Sequence, residues 1–110
     1  MSFKIYTKTG DSGDTGLFGG QRVRKDSLRI TALGAVDELN ACLGIALSHA
    51  SGSSLQEPLC RIQSILFDLG ADIATPLGHE THGSVSVQRI QSGMASELES
   101  VIDELELSLA

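Results

Sequence analysis

The clearest periodic pattern in this chain lies in residues 54–74, which read SLQEPLCRIQSILFDLGADIA. Apolar side chains recur there in alternating steps of four and three residues: Leu55, Leu59, Ile62, Leu66, Leu69 and Ile73. Such a stripe predicts an amphipathic helix that packs nearly parallel to its neighbours in a bundle. Ser54 and Glu57 have capping-box spacing. The helix is expected to end at about Ala74, because the residue before Pro76 avoids the helical region.

Two further helices are predicted on either side of this one. Residues 27–49 carry an apolar stripe at helical spacing: Leu33, Val36, Leu39, Leu43, Ala46 and Leu47. An adjacent face carries polar or small residues: Asp37, Asn40, Ala41, Gly44 and Ser48. Residues 87–107 carry another stripe: Val87, Ile90, Met94, Leu98, Val101 and Leu105. We therefore predict an all-α fold, a helical bundle over residues 27–110 within a single domain, 1–110.

Residues 76–85, between the second and third helices, are predicted to form a polar loop. His79 and His82 lie three positions apart in it, but the only nearby carboxylate is Glu80. Two histidines and one carboxylate are weak support for a metal site, so we predict a solvated loop and no metal ligands.

The charge of the chain is divided unevenly. Residues 1–29 carry six basic against three acidic side chains, whereas the remaining 81 carry two arginines against eleven carboxylates. An acidic helical body repels nucleic acid, so no nucleic-acid partner is expected. We identify no membrane-spanning run or signal peptide and expect a cytoplasmic protein without a membrane partner. Cys42 and Cys60 are expected to be buried reduced thiols rather than a disulfide framework.

The basic charge surrounds a stretch that we call the glycine segment, residues 7–25, TKTGDSGDTGLFGGQRVRK. Four glycines in it are spaced three apart: Gly10, Gly13, Gly16 and Gly19. Glycine lets the backbone curl so that several N–H groups face one anion, while hydroxyl and ammonium groups add donors and charge. The pattern favours an ordered polyphosphate-binding loop over a flexible tail or simple turns, although it matches neither a Walker A nor a G-x-G-x-x-G motif.

The order of these motifs resembles the PduO-type ATP:cob(I)alamin adenosyltransferases. The resemblance rests on Tyr6-Thr-Lys-Thr-Gly-Asp-x-Gly-x-Thr-Gly-Leu-Phe-Gly-Gly-x-Arg22, Lys25-Asp26, Gly34-Ala-Val-Asp-Glu-Leu-Asn40 and Gln63-x-x-Leu-Phe-Asp-Leu-Gly-Ala-Asp72. It implies a five-helix, ferritin-like bundle that assembles as a homotrimer, with ATP at the subunit interfaces. The implied reaction transfers the 5′-deoxyadenosyl group of ATP to the reduced cobalt of cob(I)alamin, the co-substrate. Mg²⁺ would accompany the triphosphate, and a corrinoid reductase or an acceptor enzyme would be a further partner.

The resemblance also assigns roles to particular residues. Those that would bind ATP are Thr7, Lys8, Thr9 and Gly10, which wrap the triphosphate, Thr15 and Gly16, which continue the cradle, and Lys25, which reaches a phosphate oxygen. Asp37, the candidate catalytic residue, would pair with an arginine across the subunit interface. The alternative interpretation of Asp37 is an exposed helix carboxylate, because such residues are common.

Members of this family continue with two more helices, one of which carries arginines and a glutamate that complete the site. The present sequence corresponds to the N-terminal three-fifths of that pattern, so we expect it to be incomplete at its C-terminus. The alternative function is a truncated, non-catalytic nucleotide-binding or oligomerisation module.

Overall fold

A computed structural model of the chain describes residues 3–109 and contains three helices and two small hairpins. The helices are α1 (Leu28–His49), α2 (Gln56–Ile73) and α3 (Gly93–Leu107). The strands are β1 (Asp14–Gly16), β2 (Arg22–Arg24), β3 (Thr81–His82) and β4 (Val85–Ser86). The helical bundle is confirmed. The all-α prediction is too strict, because one pair of strands precedes α1 and another follows α2 in the sequence.

The first hairpin lies inside the glycine segment, which was predicted to be a loop. β1 pairs antiparallel with β2, with Thr15 opposite Val23 at the centre of the register. The chain reverses through Gly19 and Gly20, whose φ angles of 87° and 92° lie in the left-handed region that glycine tolerates. The paired strands satisfy backbone groups that a structureless loop would leave to solvent.

Helices α1 and α2 run antiparallel and face each other along their length. Near one end Gln63 approaches Gly44, and near the other a Cβ on Gly70 would lie 3.5 Å from Leu33. The Nε2 atom of Gln63 donates to the carbonyl of Asn40 at 3.1 Å. Asn40 and Gly44, on the face adjacent to the apolar stripe, therefore contact α2. Small and polar residues at this contact allow a close approach of the two backbones.

The ends of α1 and α2 differ in how they are capped. The Ser27 hydroxyl accepts from the Ile30 N–H at 3.5 Å and caps α1. The capping box predicted for α2 is absent: Leu55 occupies the cap position without a side-chain hydrogen bond. The side chain of Gln56 instead accepts from the Gly52 N–H at 2.7 Å, which fastens the preceding turn.

Helix α3 begins at Gly93, later than the predicted start at Val87. The reason is that the backbone N–H of Ile90 donates to the Asp72 carboxylate at 2.7 Å, which holds the chain before α3 in an irregular path. The predicted stripe of α3 itself is confirmed, since these side chains are half-buried: Met94, Leu98, Val101 and Leu105. An exposed ion pair between Arg61 and Glu97 at 2.9 Å adds a polar contact between α2 and α3.

The three helices form an open layer rather than a closed core. The accessible surface is 8261 Å² for 11.6 kDa, whereas a compact chain of this mass exposes roughly 5,800 Å². Among the described residues, Leu17 is the only hydrophobic side chain that counts as buried. Cys42 and Cys60 are both exposed free thiols, so their predicted burial was wrong. Much apolar helix surface is thus left without a neighbour.

Helix α1 is also long and apolar enough, by composition alone, to cross a membrane, with a mean hydropathy of 1.5. The expectation that no run approaches this length was wrong for α1. Length and composition are weak support for a span, because apolar bundle helices share them, and α1 packs against α2. Membrane association and cellular location therefore stay predictions.

Candidate functional site

The glycine segment brings the Lys25 ammonium group onto the backbone at Gly10. A Cβ placed on Gly10 would lie 3.2 Å from the Nζ atom of Lys25 and 3.1 Å from the carbonyl oxygen of Asp14. Real Cβ atoms are rarely that close to other atoms, so a side chain at residue 10 would push its neighbours away by a few tenths of an ångström. The Lys25 N–H donates to the Gly13 carbonyl at 2.8 Å and fixes the base of that side chain.

Two threonines and an arginine complete this cluster. The hydroxyls of Thr7 and Thr9 lie 2.9 Å apart, within hydrogen-bond distance. The Nη2 atom of Arg22 donates to the Thr9 carbonyl at 2.7 Å and to the Asp14 carbonyl at 3.3 Å. Arg22 therefore ties the extended arm before Gly10 to the first hairpin. The result is a patch with hydroxyl, ammonium and guanidinium donors on one short stretch of chain.

Lys8 has the only positive φ among the described non-glycine residues, at 58°. A left-handed residue is uncommon outside glycine, asparagine and aspartate, and such outliers concentrate at functional sites. The Lys8 ammonium lies 5.4 Å from the centre of the Tyr6 ring, within cation–π distance. This turn bends the chain just before Thr9 and Gly10, next to the Lys25 ammonium.

The start of α1 adds to the positive character of this region. Lys25 lies two positions before the cap residue Ser27, and the amino end of a helix carries a partial positive charge. The first turn of α1 contains no acidic residue. Arg24 is neutralised in part by Asp26, 3.1 Å away, but this pair is well exposed. The backbone of Lys25 therefore leads directly into a helix end that favours anions.

The predicted site residues fall into three groups in the structure. Thr7, Lys8, Thr9, Gly10 and Lys25 form the cluster just described. Thr15 and Gly16 lie next to it on β1, where a Cβ placed on Gly16 would lie 3.7 Å from the Nη1 atom of Arg22.

Asp37 lies apart from both groups, on an exposed part of α1. Within residues 3–109 it forms no ion pair. No hydrogen bond or ion pair joins Asp37 to the glycine segment among these residues.

A second polar cluster, which sequence reasoning missed, lies at the carboxyl end of α2. We call it the Arg89 cluster and define it as Arg89, Asp72 and Glu80. Arg89 forms ion pairs with Asp72 and with Glu80, both at 2.7 Å. Its side chain is 24% exposed. The guanidinium also donates to three backbone carbonyls, those of Asp72 at 3.0 Å, Thr75 at 2.7 Å and Pro76 at 2.8 Å.

These contacts shift the acidities of the cluster in consistent directions. The Ile90 N–H lowers the pKa of Asp72, and the hydrogen bond from Arg89 lowers it further. The hydrogen bond from Arg89 likewise lowers the pKa of Glu80. Both carboxylates raise the pKa of Arg89. All three groups are thus held in their charged forms.

The carboxyl end of α2 contacts the glycine segment directly. The N–H of Phe18 donates to the Ala74 carbonyl at 2.9 Å. The Phe18 ring meets the ring of His82 edge-on, with centroids 6.0 Å apart. A Cβ on Gly19 would lie 3.3 Å from the His79 ring. The tip of the first hairpin therefore rests on α2 and on the segment that contains the second hairpin.

A signal for the Arg89 cluster exists in the sequence, although it is indirect. The end of a helix leaves four carbonyls without partners inside the helix, and basic residues in its last turn often supply donors. α2 has no basic residue in its last turn. Donors must therefore come from elsewhere, and Arg89 is the only arginine that follows α2.

Comparison with known families gives a direct result. The family model described as cobalamin adenosyltransferase matches residues 5–110. This chain belongs to the cobalamin adenosyltransferase family. It is 52% identical over 75 residues to the corrinoid adenosyltransferase of Bacillus subtilis. This match covers 64% of this chain and 38% of that protein. It is 38% identical over 102 residues to the human corrinoid adenosyltransferase, covering 91% of this chain and 41% of the human protein.

Solved structures agree with this family assignment. A variant of the PduO-type ATP:corrinoid adenosyltransferase from Lactobacillus reuteri, complexed with cobalamin and ATP, matches with a TM-score of 0.79 and 41% identity. The match covers 92% of this chain and 55% of that one. A second variant of the same enzyme, complexed with ATP, matches with a TM-score of 0.76 and 37% identity, covering 94% of this chain and 57% of that one. The chain spans about two fifths of the length of its curated relatives.

Proposed function

We propose that this chain supplies the ATP-binding part of an ATP:corrinoid adenosyltransferase. The observation that carries the proposal is the Lys25 ammonium held against the backbone at Gly10, which follows in sequence the paired hydroxyls of Thr7 and Thr9. A triphosphate needs several donors and positive charge at one place, and this cluster offers both. Membership of the family, and similarity to enzymes complexed with ATP and cobalamin, support ATP and a corrinoid as the substrates.

In the proposed reaction the substrate cob(I)alamin supplies an electron pair that attacks the C5′ carbon of ATP. A cobalt–carbon bond forms, the C5′–oxygen bond breaks, and triphosphate leaves with the bonding electrons. The residues of this chain act on the leaving group: Lys25 and the backbone N–H groups near Gly10 stabilise the charge that grows on the triphosphate. Thr15 and Gly16 continue the cradle along β1, and Lys8 adds charge at its start. Their work is binding and orientation.

Mg²⁺ is proposed to bind mainly through the triphosphate. Across residues 3–109 no group of three or more histidine, cysteine or acidic side chains could hold a metal ion. Mg²⁺ keeps several waters and commonly binds through substrate phosphates with few protein ligands. The ion would spread the charge of the phosphates and thereby support the same step.

A homotrimer with the nucleotide at subunit interfaces is the assembly we propose. Large apolar side chains on α1 are exposed in the single chain, among them Ile45 at 65% and Leu39 at 50%. Asp37 lies on the same helix and has no partner within the described part of the chain. Packing of α1 against another subunit would cover this surface, and an arginine across that interface would pair with Asp37.

The open helical layer also favours a second candidate function, a non-catalytic oligomerisation module that binds a nucleotide. This chain exposes more surface than a compact chain of its mass, and such a module would bury that extra surface against its partners. The two candidates differ in chemistry. Formation of a cobalt–carbon bond by the purified chain, followed by the visible spectrum of the corrinoid, would exclude the module.

The experiment that tests the proposal is a calorimetric titration of this chain with Mg-ATP. Lys25→Ala should weaken binding at least about tenfold, because it removes a charge-assisted contact to a phosphate. Lys4→Ala is the matched control, since Lys4 lies over the Tyr6 ring outside the cluster, and it should bind as the parent does. Equal affinity of the parent and Lys25→Ala, with unchanged helicity, would contradict the proposal.

A further inference from the structure

The backbone carbonyls at the carboxyl end of α2 receive an unusual number of hydrogen bonds from other parts of the chain. Five successive backbone carbonyls, those of residues 72–76, each accept a hydrogen bond from outside the helix. Arg89 serves Asp72, Thr75 and Pro76. The other two are served by the Arg29 side chain, which reaches the Ile73 carbonyl at 2.6 Å, and by the Phe18 N–H, which reaches the Ala74 carbonyl.

Arg89 provides most of these bonds because of the shape of its side chain. A guanidinium carries five N–H donors in a fixed plane, so one residue can serve three carbonyls and two carboxylates together. Asp72 and Glu80 hold it in that plane from two sides. A lysine ammonium has three donors on one atom and cannot reach this set.

Arg89 fixes two parts of the structure that support the glycine segment: the end of α2 around Ala74, and the segment that contains Glu80. It binds the carbonyls of Asp72 and Thr75 on both sides of Ala74, and Ala74 presents its own carbonyl to the Phe18 N–H. It also binds Glu80, which lies between His79 and His82 in sequence, and those two rings contact Gly19 and Phe18. The tip of the first hairpin thus rests on two surfaces that share one arginine.

We propose that Arg89 is a positioning residue for the nucleotide site, acting through Ala74 and the second hairpin to hold residues 17–20. Residues 17–21 join β1 to β2, and β2 is followed at once by Lys25. When the tip is released, the hairpin no longer fixes Lys25 over Gly10. The inference rests on the proposed function, because it gives Arg89 a role in binding ATP without contact to it.

The first test is amide hydrogen exchange of the whole chain without nucleotide. In Arg89→Gln the amide of Phe18 should exchange at least about tenfold faster, because its acceptor is no longer held in place. Arg61→Gln is the matched control: it removes the other arginine–carboxylate contact of α2, far from the hairpin, and should leave Phe18 unchanged. The amide of Asn40 in α1 should exchange at the same rate in all variants, which separates local release from general loosening.

Arg89→Lys keeps the positive charge between Asp72 and Glu80 and tests the proposal should Arg89→Gln not fold. It should fold and show intermediate exchange at Phe18, because an ammonium reaches fewer of the acceptors. Exchange at Phe18 equal to that of the parent in either folded variant would overturn the inference.

The second test is the titration with Mg-ATP, which separates this inference from the proposed function. Binding by the parent, loss in Lys25→Ala and weakening in Arg89→Gln would support both. Binding by the parent and loss in Lys25→Ala, with parental affinity in Arg89→Gln, would overturn only the positioning role. A parent chain that does not bind Mg-ATP would overturn the proposed function, and with it the role of Arg89 toward the nucleotide.

Discussion

The glycine segment and the carboxyl end of α2 meet at Phe18, yet they use their polar groups in opposite ways. Within residues 3–109, Lys25 forms no ion pair, whereas Arg89 forms two and also serves three carbonyls. The Lys25 ammonium thus has no carboxylate partner within the described residues, whereas Arg89 is fully engaged with acceptors at the end of α2. A ligand site needs groups that are placed but not yet paired, and those groups stay placed only when a neighbouring region is fully paired. The comparison thus distinguishes groups that are placed to bind a ligand from groups that hold the binding segment in position.

Gly10→Ala should have the largest effect, and it should affect the glycine segment without affecting the end of α2. The new Cβ would lie 3.1 Å from the Asp14 carbonyl and 3.2 Å from Lys25 Nζ, so the lysine must move. We expect affinity for Mg-ATP to fall at least about tenfold, as for the loss of a charged hydrogen bond. Calorimetric titration measures the change.

Gly34→Ala is the control for this substitution, because nothing lies within 4 Å of its new Cβ on α1. Its affinity should be unchanged, and its free energy of unfolding should rise by up to about 1 kcal/mol through helix propensity. Parental affinity in Gly10→Ala would show that the position of Lys25 over Gly10 does not matter for the nucleotide.

Low pH should have a smaller effect on stability and should act on the Arg89 cluster. The pKa values of Asp72 and Glu80 lie below their usual values of 3.8 and 4.5. Groups with a lowered pKa stabilise the fold above the usual value, and this stabilisation is lost as the pH falls through the lowered one. The free energy of unfolding should therefore decrease as the pH drops below about 4.5, with a shallower decrease in Asp72→Asn.

Carboxyl chemical shifts measured by NMR as a function of pH check this prediction residue by residue. Midpoints below 3.8 for Asp72 and below 4.5 for Glu80 are expected. Midpoints at or above those values would mean that Arg89 does not hold the two carboxylates in solution.

Asp37→Asn should have the smallest effect on the single chain, because Asp37 lies in neither region. Its exposed side chain makes no ion pair within the described residues, so unfolding free energy should change by less than about 0.5 kcal/mol. In an assembled, full-length version the same substitution should lower turnover or assembly. Normal sedimentation and normal turnover there would remove Asp37 from the candidate site.

The helices were predictable because their stripes are local. The predicted start of α1 at Ser27 differs by one residue from the observed start at Leu28, and its end at His49 agrees. The start of α3 was misplaced because Val87 and Ile90 continue the helical spacing, while a distant carboxylate, Asp72, takes the Ile90 N–H. Periodicity records which side chains become half-buried, and it does not record a contact made 18 positions away.

The candidate site was predictable to a similar extent. The glycine spacing and nearby basic residues predicted an anion-binding segment; the structure brings Lys25 to Gly10 and the Thr7 hydroxyl to that of Thr9, while anion binding itself stays a prediction. The hairpin inside it was missed because each strand has three residues, too few for an alternating pattern. Arg89 was missed because it is a lone arginine outside any motif, and its role depends entirely on the path of the chain.

The hydrogen bond from Phe18 to Ala74 has a consequence for the order in which the molecule folds. It joins residues 56 positions apart, across both α1 and α2. Turns and helices form from near neighbours, whereas a contact at this separation must wait for loop closure and for the end of α2 to exist. The glycine segment is therefore expected to be among the last parts of the chain to take shape. If the proposed site binds ATP, the nucleotide will stabilise completed molecules over half-formed ones.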